Sequence, residues 1–161
     1  MTQKLAVLAG SLSMAQAMLG FGACPKPTLI SSLDTTAMQG QWFEIERDMM
    51  FPYEMTAECV THEYKLTSDA NLRFRFRGWY PMMLFTYNGV GGELQQCSNG
   101  SSETWTCQGT MDDFPGTSPF SFLSADPDSY FVMYNCGEMF DGGMHAHFIT
   151  IMSRSTEMSA D

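Results

Sequence analysis

Positive charge is scarce in this sequence. Its 161 residues carry 8 Lys and Arg against 18 Asp and Glu, a formal net charge of −10. A chain so poor in cations has little with which to neutralise phosphates, which argues against nucleic acid and against anionic membrane surfaces as partners. Long apolar runs are missing too: the stretch from Leu5 to Met14 is too short to cross a bilayer. Histidine and cysteine are few, at 3 and 5 residues. His145-Ala146-His147 sets two imidazoles on one face of an extended segment, yet no third ligand stands with them. The sequence therefore gives no ground for a metal or a cofactor.

What is present fits one domain. The length suits a single core, and 44% hydrophobic and 13% aromatic residues are enough to build it rather than leave the chain disordered. Residues 1–17 read as a secretory signal peptide: Lys4 supplies the positive start, Leu5 to Met14 the apolar core, and Ala15-Gln16-Ala17 the small residues at the cleavage site. That leaves 18–161 as the mature domain, secreted and extracellular. A lipoprotein signal ending at Cys24 is the rival reading, but Phe21 suits its position poorly and the apolar core ends too early. Five Cys in an exported chain imply disulfides with one thiol left over.

The rest of the chain alternates. Cys24-Pro25-Lys26-Pro27 is a stiff extended lead-in, and Leu29 to Met38 holds one or two short helical turns. Strands are expected at Gln41–Arg47, Glu58–Leu66, Leu72–Arg77, Leu84–Gln96, Thr104–Met111, Phe120–Ser124, Tyr130–Cys136 and Ala146–Ser153. Leu72-Arg73-Phe74-Arg75-Phe76-Arg77 is the plainest, with Phe on one face and Arg on the other. Gly89, Gly91 and Gly92 mark a bend or close packing inside the fourth strand. Ser68–Asn71 and Ser98–Ser101 are turns, and Asp112–Pro119 is a Gly/Pro loop. Eight short strands at hairpin spacing, with no long helix among them, read as all-β: an eight-stranded antiparallel up-and-down β-barrel.

Gly40-Gln41-Trp42 opens the first strand, and it resembles the G-x-W motif of the lipocalins, in particular the branch containing apolipoprotein D and the insect bilin-binding proteins. Phe120 to Cys136 resembles the second motif of that family, with Asp126 kept in its turn, and Phe148 to Arg154 resembles the third. The resemblance implies that Trp42 floors the barrel and that Arg154 packs over it as a cation–π contact with donors left for backbone carbonyls. It implies a Cys24–Cys136 disulfide. Cys97 and Cys107 flank a hairpin and suit a second bridge, which leaves Cys59 unpaired. In the family the match of Cys59 pairs beyond a C-terminal helix, and this sequence stops at Asp161, where that helix is expected to begin. On this reading the barrel lacks its helix.

Up-and-down topology puts Asp48–Ala57, Tyr80–Met83, Asp112–Pro119 and Gly137–Met144 at the mouth. If Tyr64 faces inward as its family match does, so does His62, while Cys59 points out. Phe74, Phe76, Phe120, Phe122, Phe148 and Thr150 complete an expected ligand wall, and Arg75 is an alternative that can reach a ligand's acid group. The mouth carries Met49, Met50, Phe51, Met55, Met82, Met83, Phe114, Met139, Phe140 and Met144, an adaptable rim for a lipid, a lipid particle or a membrane surface. Asn99-Gly100-Ser101 is an N-glycosylation acceptor.

The leading functional reading is a secreted carrier of a small hydrophobic ligand (a lipid, retinoid, sterol or pigment) with no catalysis of its own. A lipocalin-fold enzyme acting on a lipid or carotenoid is the rival. It needs an inward nucleophile or acid–base pair, for which Glu44 and Glu46, on the face of Trp42, stand nearest His62 or Arg75. A module that docks a protein partner through its apolar mouth is the third reading. The sequence sets neither the ligand nor the oligomeric state.

Overall fold

The computed structural model describes residues 19–48, 57–69, 71–81, 85–87, 89–98, 106–112 and 114–157. The strands are β1 (Leu19–Phe21), β2 (Gly40–Arg47), β3 (Glu58–Leu66), β4 (Leu72–Tyr80), β5 (Phe85–Tyr87), β6 (Gly91–Ser98), β7 (Thr106–Met111), β8 (Phe114–Asp126), β9 (Tyr130–Met139) and β10 (Met144–Ser153). Eight of them pair antiparallel in the order β10-β2-β3-β4-β6-β7-β8-β9, and β9 returns to β10, so the sheet closes into a barrel without edges. β5 is a short addition to β4, and β1 is one to β10. No helix occurs among the described residues.

Alternation does what a closed barrel requires of it. In β4, Leu72, Phe74 and Phe76 are buried while Arg75 and Arg77 are exposed. In β3, Val60, His62 and Tyr64 are buried and Cys59 is exposed. Five register shifts interrupt the ladders among the described strands, and two of them bear on candidate residues. At the start of β3 the pairing shifts between Glu58 and Thr61, and Cys59 there takes a positive φ of 52°. Between β10 and β2 the register passes from Ile151–Glu46 to Met152–Glu44, so Ile45 is the extra residue. Glu46 thereby leaves the face of Trp42 and is exposed, which corrects the expectation that it enters the barrel with Glu44.

Several expected boundaries move. β1 was not foreseen. The expected fourth strand, Leu84–Gln96, is divided into β5 and β6, and Gly89 between them passes so close to Phe76 that a Cβ there would overlap its ring. The expected loop Asp112–Pro119 is largely strand, since β8 pairs with β7 from Phe114 onward. The expected loop Gly137–Met144 shrinks to a turn at Phe140, Asp141, Gly142 and Gly143, closed by Gly143 N donating to Phe140 O at 3.0 Å. The helical stretch expected at Leu29 to Met38 is a single turn, in which Asp34 Oδ1 accepts from the amides of Thr36 and Ala37.

Both expected bridges form. Cys24–Cys136 ties the lead-in to β9, and Cys97–Cys107 joins β6 to β7. Tyr134 reinforces the first by donating its hydroxyl to Pro25 O at 3.1 Å, and burial under the lead-in raises its pKa. The stretch 1–17 expected to be a signal peptide, and Met49, Met50, Phe51, Met55, Met82, Met83 and Asn99, lie outside the described residues.

Candidate functional site

The barrel floor is assembled around one indole. Trp42 is fully buried and donates its N–H to Met38 O at 2.8 Å. Arg154 lies over the ring, its guanidinium carbon 3.6 Å from the centroid. The same guanidinium donates to Pro127 O at 3.0 Å, Gln41 O at 3.1 Å and Ala37 O at 2.7 Å, joining three segments. Burial lowers the Arg154 pKa, and Asp128 opposes that shift. Asp126 makes the adjoining turn, accepting from Asp128 N at 3.2 Å and Ser129 Oγ at 2.7 Å. Phe131 packs edge-on against Trp42 at 4.7 Å, and Phe122 follows at 5.8 Å from Phe131.

Above the floor lies a cavity lined by His62, Tyr64, Phe74, Phe76, Leu94, Met111, Phe120, Met133 and Thr150. Its volume is about 30 Å³. That is room for a single water, whereas ligand pockets run to roughly 300–1,000 Å³. The filling comes from three rings seated on glycines. A Cβ at Gly92 would overlap Phe74, one at Gly109 would overlap Phe120, and one at Gly89 would overlap Phe76. Phe74 and Phe76 also meet the rings of Tyr64 and His62, and the three rings fill most of the interior above the floor.

One side of the interior is polar. The Glu44 side chain is 2% exposed and pairs with Arg47, whose guanidinium also donates to Ala57 O at 2.6 Å. Glu44 Oε2 stands 3.8 Å from His62 Nε2, and Tyr64 Oη stands 3.5 Å from His62 Nδ1. A carboxylate, an imidazole and a phenol thus run in sequence from the barrel wall to the cavity.

Of the eight residues expected on the ligand wall, six line the cavity: His62, Tyr64, Phe74, Phe76, Phe120 and Thr150. Phe122 does not; it is buried lower, in the floor cluster with Phe131. Phe148 is half-buried and outside the lining, because it stands one inward position above Thr150 toward the mouth. Arg75 is on the outer face, beside a groove of about 210 Å³ with Gln41, Thr61, His62, Glu63 and Arg77, so it cannot meet an acid inside the barrel. Leu94, Met111 and Met133 were missed. Alternation could have found Met111, two steps of two from Cys107, and Met133, which shares its parity with Phe131. Among the described residues no group of three or more His, Cys, Asp or Glu can hold a metal.

A closed eight-stranded barrel stoppered by a Trp–Arg pair defines a lipocalin fold, and the solved structures it matches agree. Lobster apocrustacyanin A1 superposes with a TM-score of 0.67 at 18% identity, covering 89% of this chain and 77% of that one. Insecticyanin from the tobacco hornworm Manduca sexta gives 0.66 at 20% identity, covering 89% and 75%. The tryptamine complex of the amine binding protein of Rhodnius prolixus gives 0.62 at 14% identity, covering 87% and 74%. No family model matches the sequence. In sequence, the chain is a homologue of apolipoprotein D of Rattus norvegicus: 26% identical over 152 residues, spanning 94% of this chain and 77% of that protein.

Proposed function

We propose that the protein is a secreted carrier of a small hydrophobic ligand, taken into the barrel when the rings of Phe74, Phe76 and Phe120 swing aside. The observation that carries this is the wall itself: three aromatic rings with no polar atom rest on glycine backbone above a floor fixed by directional bonds. Moving such a ring breaks no hydrogen bond, and burial of apolar ligand surface, at roughly 25 cal/mol per Å², offsets the lost contacts. His62, Tyr64 and Thr150 then orient a polar end of the ligand. Two relatives support the class: one solved neighbour is an amine binding protein with tryptamine bound, and the sequence relative is an apolipoprotein. The two disulfides suit an oxidising extracellular compartment. Native mass spectrometry of protein purified from its source tests the reading. A carrier shows added mass that lipid extraction removes and a lipid extract restores; a bare chain that takes up nothing contradicts it.

A second reading has one observation in its favour. Glu44 and His62 form a buried acid–base pair at the cavity wall, 3.8 Å apart, as a lipocalin-fold enzyme requires. Cys59, whose thiol is free, is exposed on the outer face and so is no inward nucleophile. In an enzyme, Glu44→Gln abolishes turnover of a bound lipid or carotenoid and leaves its binding in place; a carrier has no turnover for the variant to lose.

A further inference from the structure

The inner wall of the barrel does not end at the cavity. Thr150 and Met133, both lining it, are cross-strand partners on β10 and β9. That ladder runs from there to its upper end without a register shift, so alternation places Phe148, Ala146 and Met144, with Met139 opposite, on the same inner side. Asn135, opposite Phe148, is the polar member, and its amide donates to Ser118 Oγ at 2.9 Å. Along this stretch β2 no longer accompanies β10, its last pair being Arg47 with Thr150. β1 takes over that edge, with Leu19 opposite Ala146 and Phe21 opposite Met144. Cross-strand partners share a face, so Leu19 and Phe21 also stand on the inner side.

β1 is fastened in this position. Gly22 N donates to Gly143 O at 2.9 Å, and His145 Nδ1 lies 3.0 Å from Gly22 O. Gly20 leaves room for the His145 ring, which any Cβ at that position would overlap. Yet the two apolar side chains that the strand presents are uncovered: Phe21 is 90% exposed and Leu19 is 55% exposed.

We propose that β1 and the upper ends of β9 and β10 form a second ligand subsite, an apolar lip that receives the tail of an elongated ligand whose other end occupies the barrel. The proposal rests on the carrier reading and names its ligand class: long-chain rather than compact. The occupant follows from two features already given. The lip continues the cavity wall along the inner side of β10, and the cavity, at about 30 Å³, leaves a long guest with much of its length above the barrel's middle. The β1 side chains lie where that length emerges.

A chain-length comparison tests this. Octanol and octadecanol are each titrated, by displacement of a fluorescent fatty alcohol, into the wild-type protein, the double variant Leu19→Ser/Phe21→Ser, and Gly20→Val, which pushes β1 off His145. The expected result is a roughly ten-fold loss of octadecanol affinity in both variants, with octanol unchanged. Leu19 and Phe21 are exposed, so their replacement leaves the barrel intact. Octadecanol affinity that survives both variants overturns the lip, as does an equal loss for both alcohols, which assigns β1 to barrel support. Failure of the wild-type protein to bind either alcohol contradicts the carrier reading, and the lip with it.

Discussion

At the floor of the barrel, Trp42 has its N–H on Met38, Arg154 over its ring and Phe131 at its edge, while Arg154 bonds three carbonyls from separate segments. Higher in the same barrel, Phe74 and Phe76 meet the rings of Tyr64 and His62 at 6.0 and 6.1 Å, and Phe74, Phe76 and Phe120 lie against the backbone of Gly92, Gly89 and Gly109. The floor is specified by direction: moving Trp42 or Arg154 strands buried donors and acceptors, each worth about 1–3 kcal/mol. The rings are specified only by contact, which another apolar body can supply equally well. Within one sheet, then, one region is held by directional bonds and the other by packing, and on the proposed reading it is the packed region that gives way to a guest.

Trp42→Ala is the harshest way to break this contrast. It removes the largest core side chain and should cost about 4 kcal/mol, read as the shift in a urea transition. Opening Cys24–Cys136 with a double Ser substitution should cost about 3 kcal/mol, the typical effect of losing a native bridge. Arg154→Met keeps an aliphatic stem over the indole but loses three carbonyl bonds, for about 2 kcal/mol. None of these three should change ligand affinity per folded molecule by much. Gly109→Ala should do the reverse: about 1 kcal/mol of stability, with a several-fold change in affinity, because its methyl displaces the Phe120 ring. A Gly109→Ala protein with wild-type affinity would mean that the ring does not guard the cavity.

The floor was legible in the sequence because its parts are local and rare. Gly40-Gln41-Trp42, the Asp126 turn and Arg154 each sit in a short motif, and the resemblance ordered them correctly. Strict alternation in Leu72 to Arg77 fixed which face of β4 turns inward. The state of the interior was not legible. Whether a barrel is hollow depends on which glycine faces which ring, and the pairs Gly92–Phe74, Gly89–Phe76 and Gly109–Phe120 arise only from register and from an interruption between β5 and β6. The placement of Glu46 turned on a bulge, which a period of two cannot reveal, whereas alternation did set Cys59 on the outer face. β1 escaped notice because three residues are too few to show alternation, and they begin two positions past the end of the expected signal peptide.

The central claim is that this nearly filled interior yields to an apolar guest. Calorimetric titration with all-trans-retinol at several temperatures tests it most directly. Saturable uptake of one guest per barrel, with a negative heat-capacity change as apolar surface leaves water, is the predicted result. No saturable heat, or binding without a heat-capacity change, would contradict it.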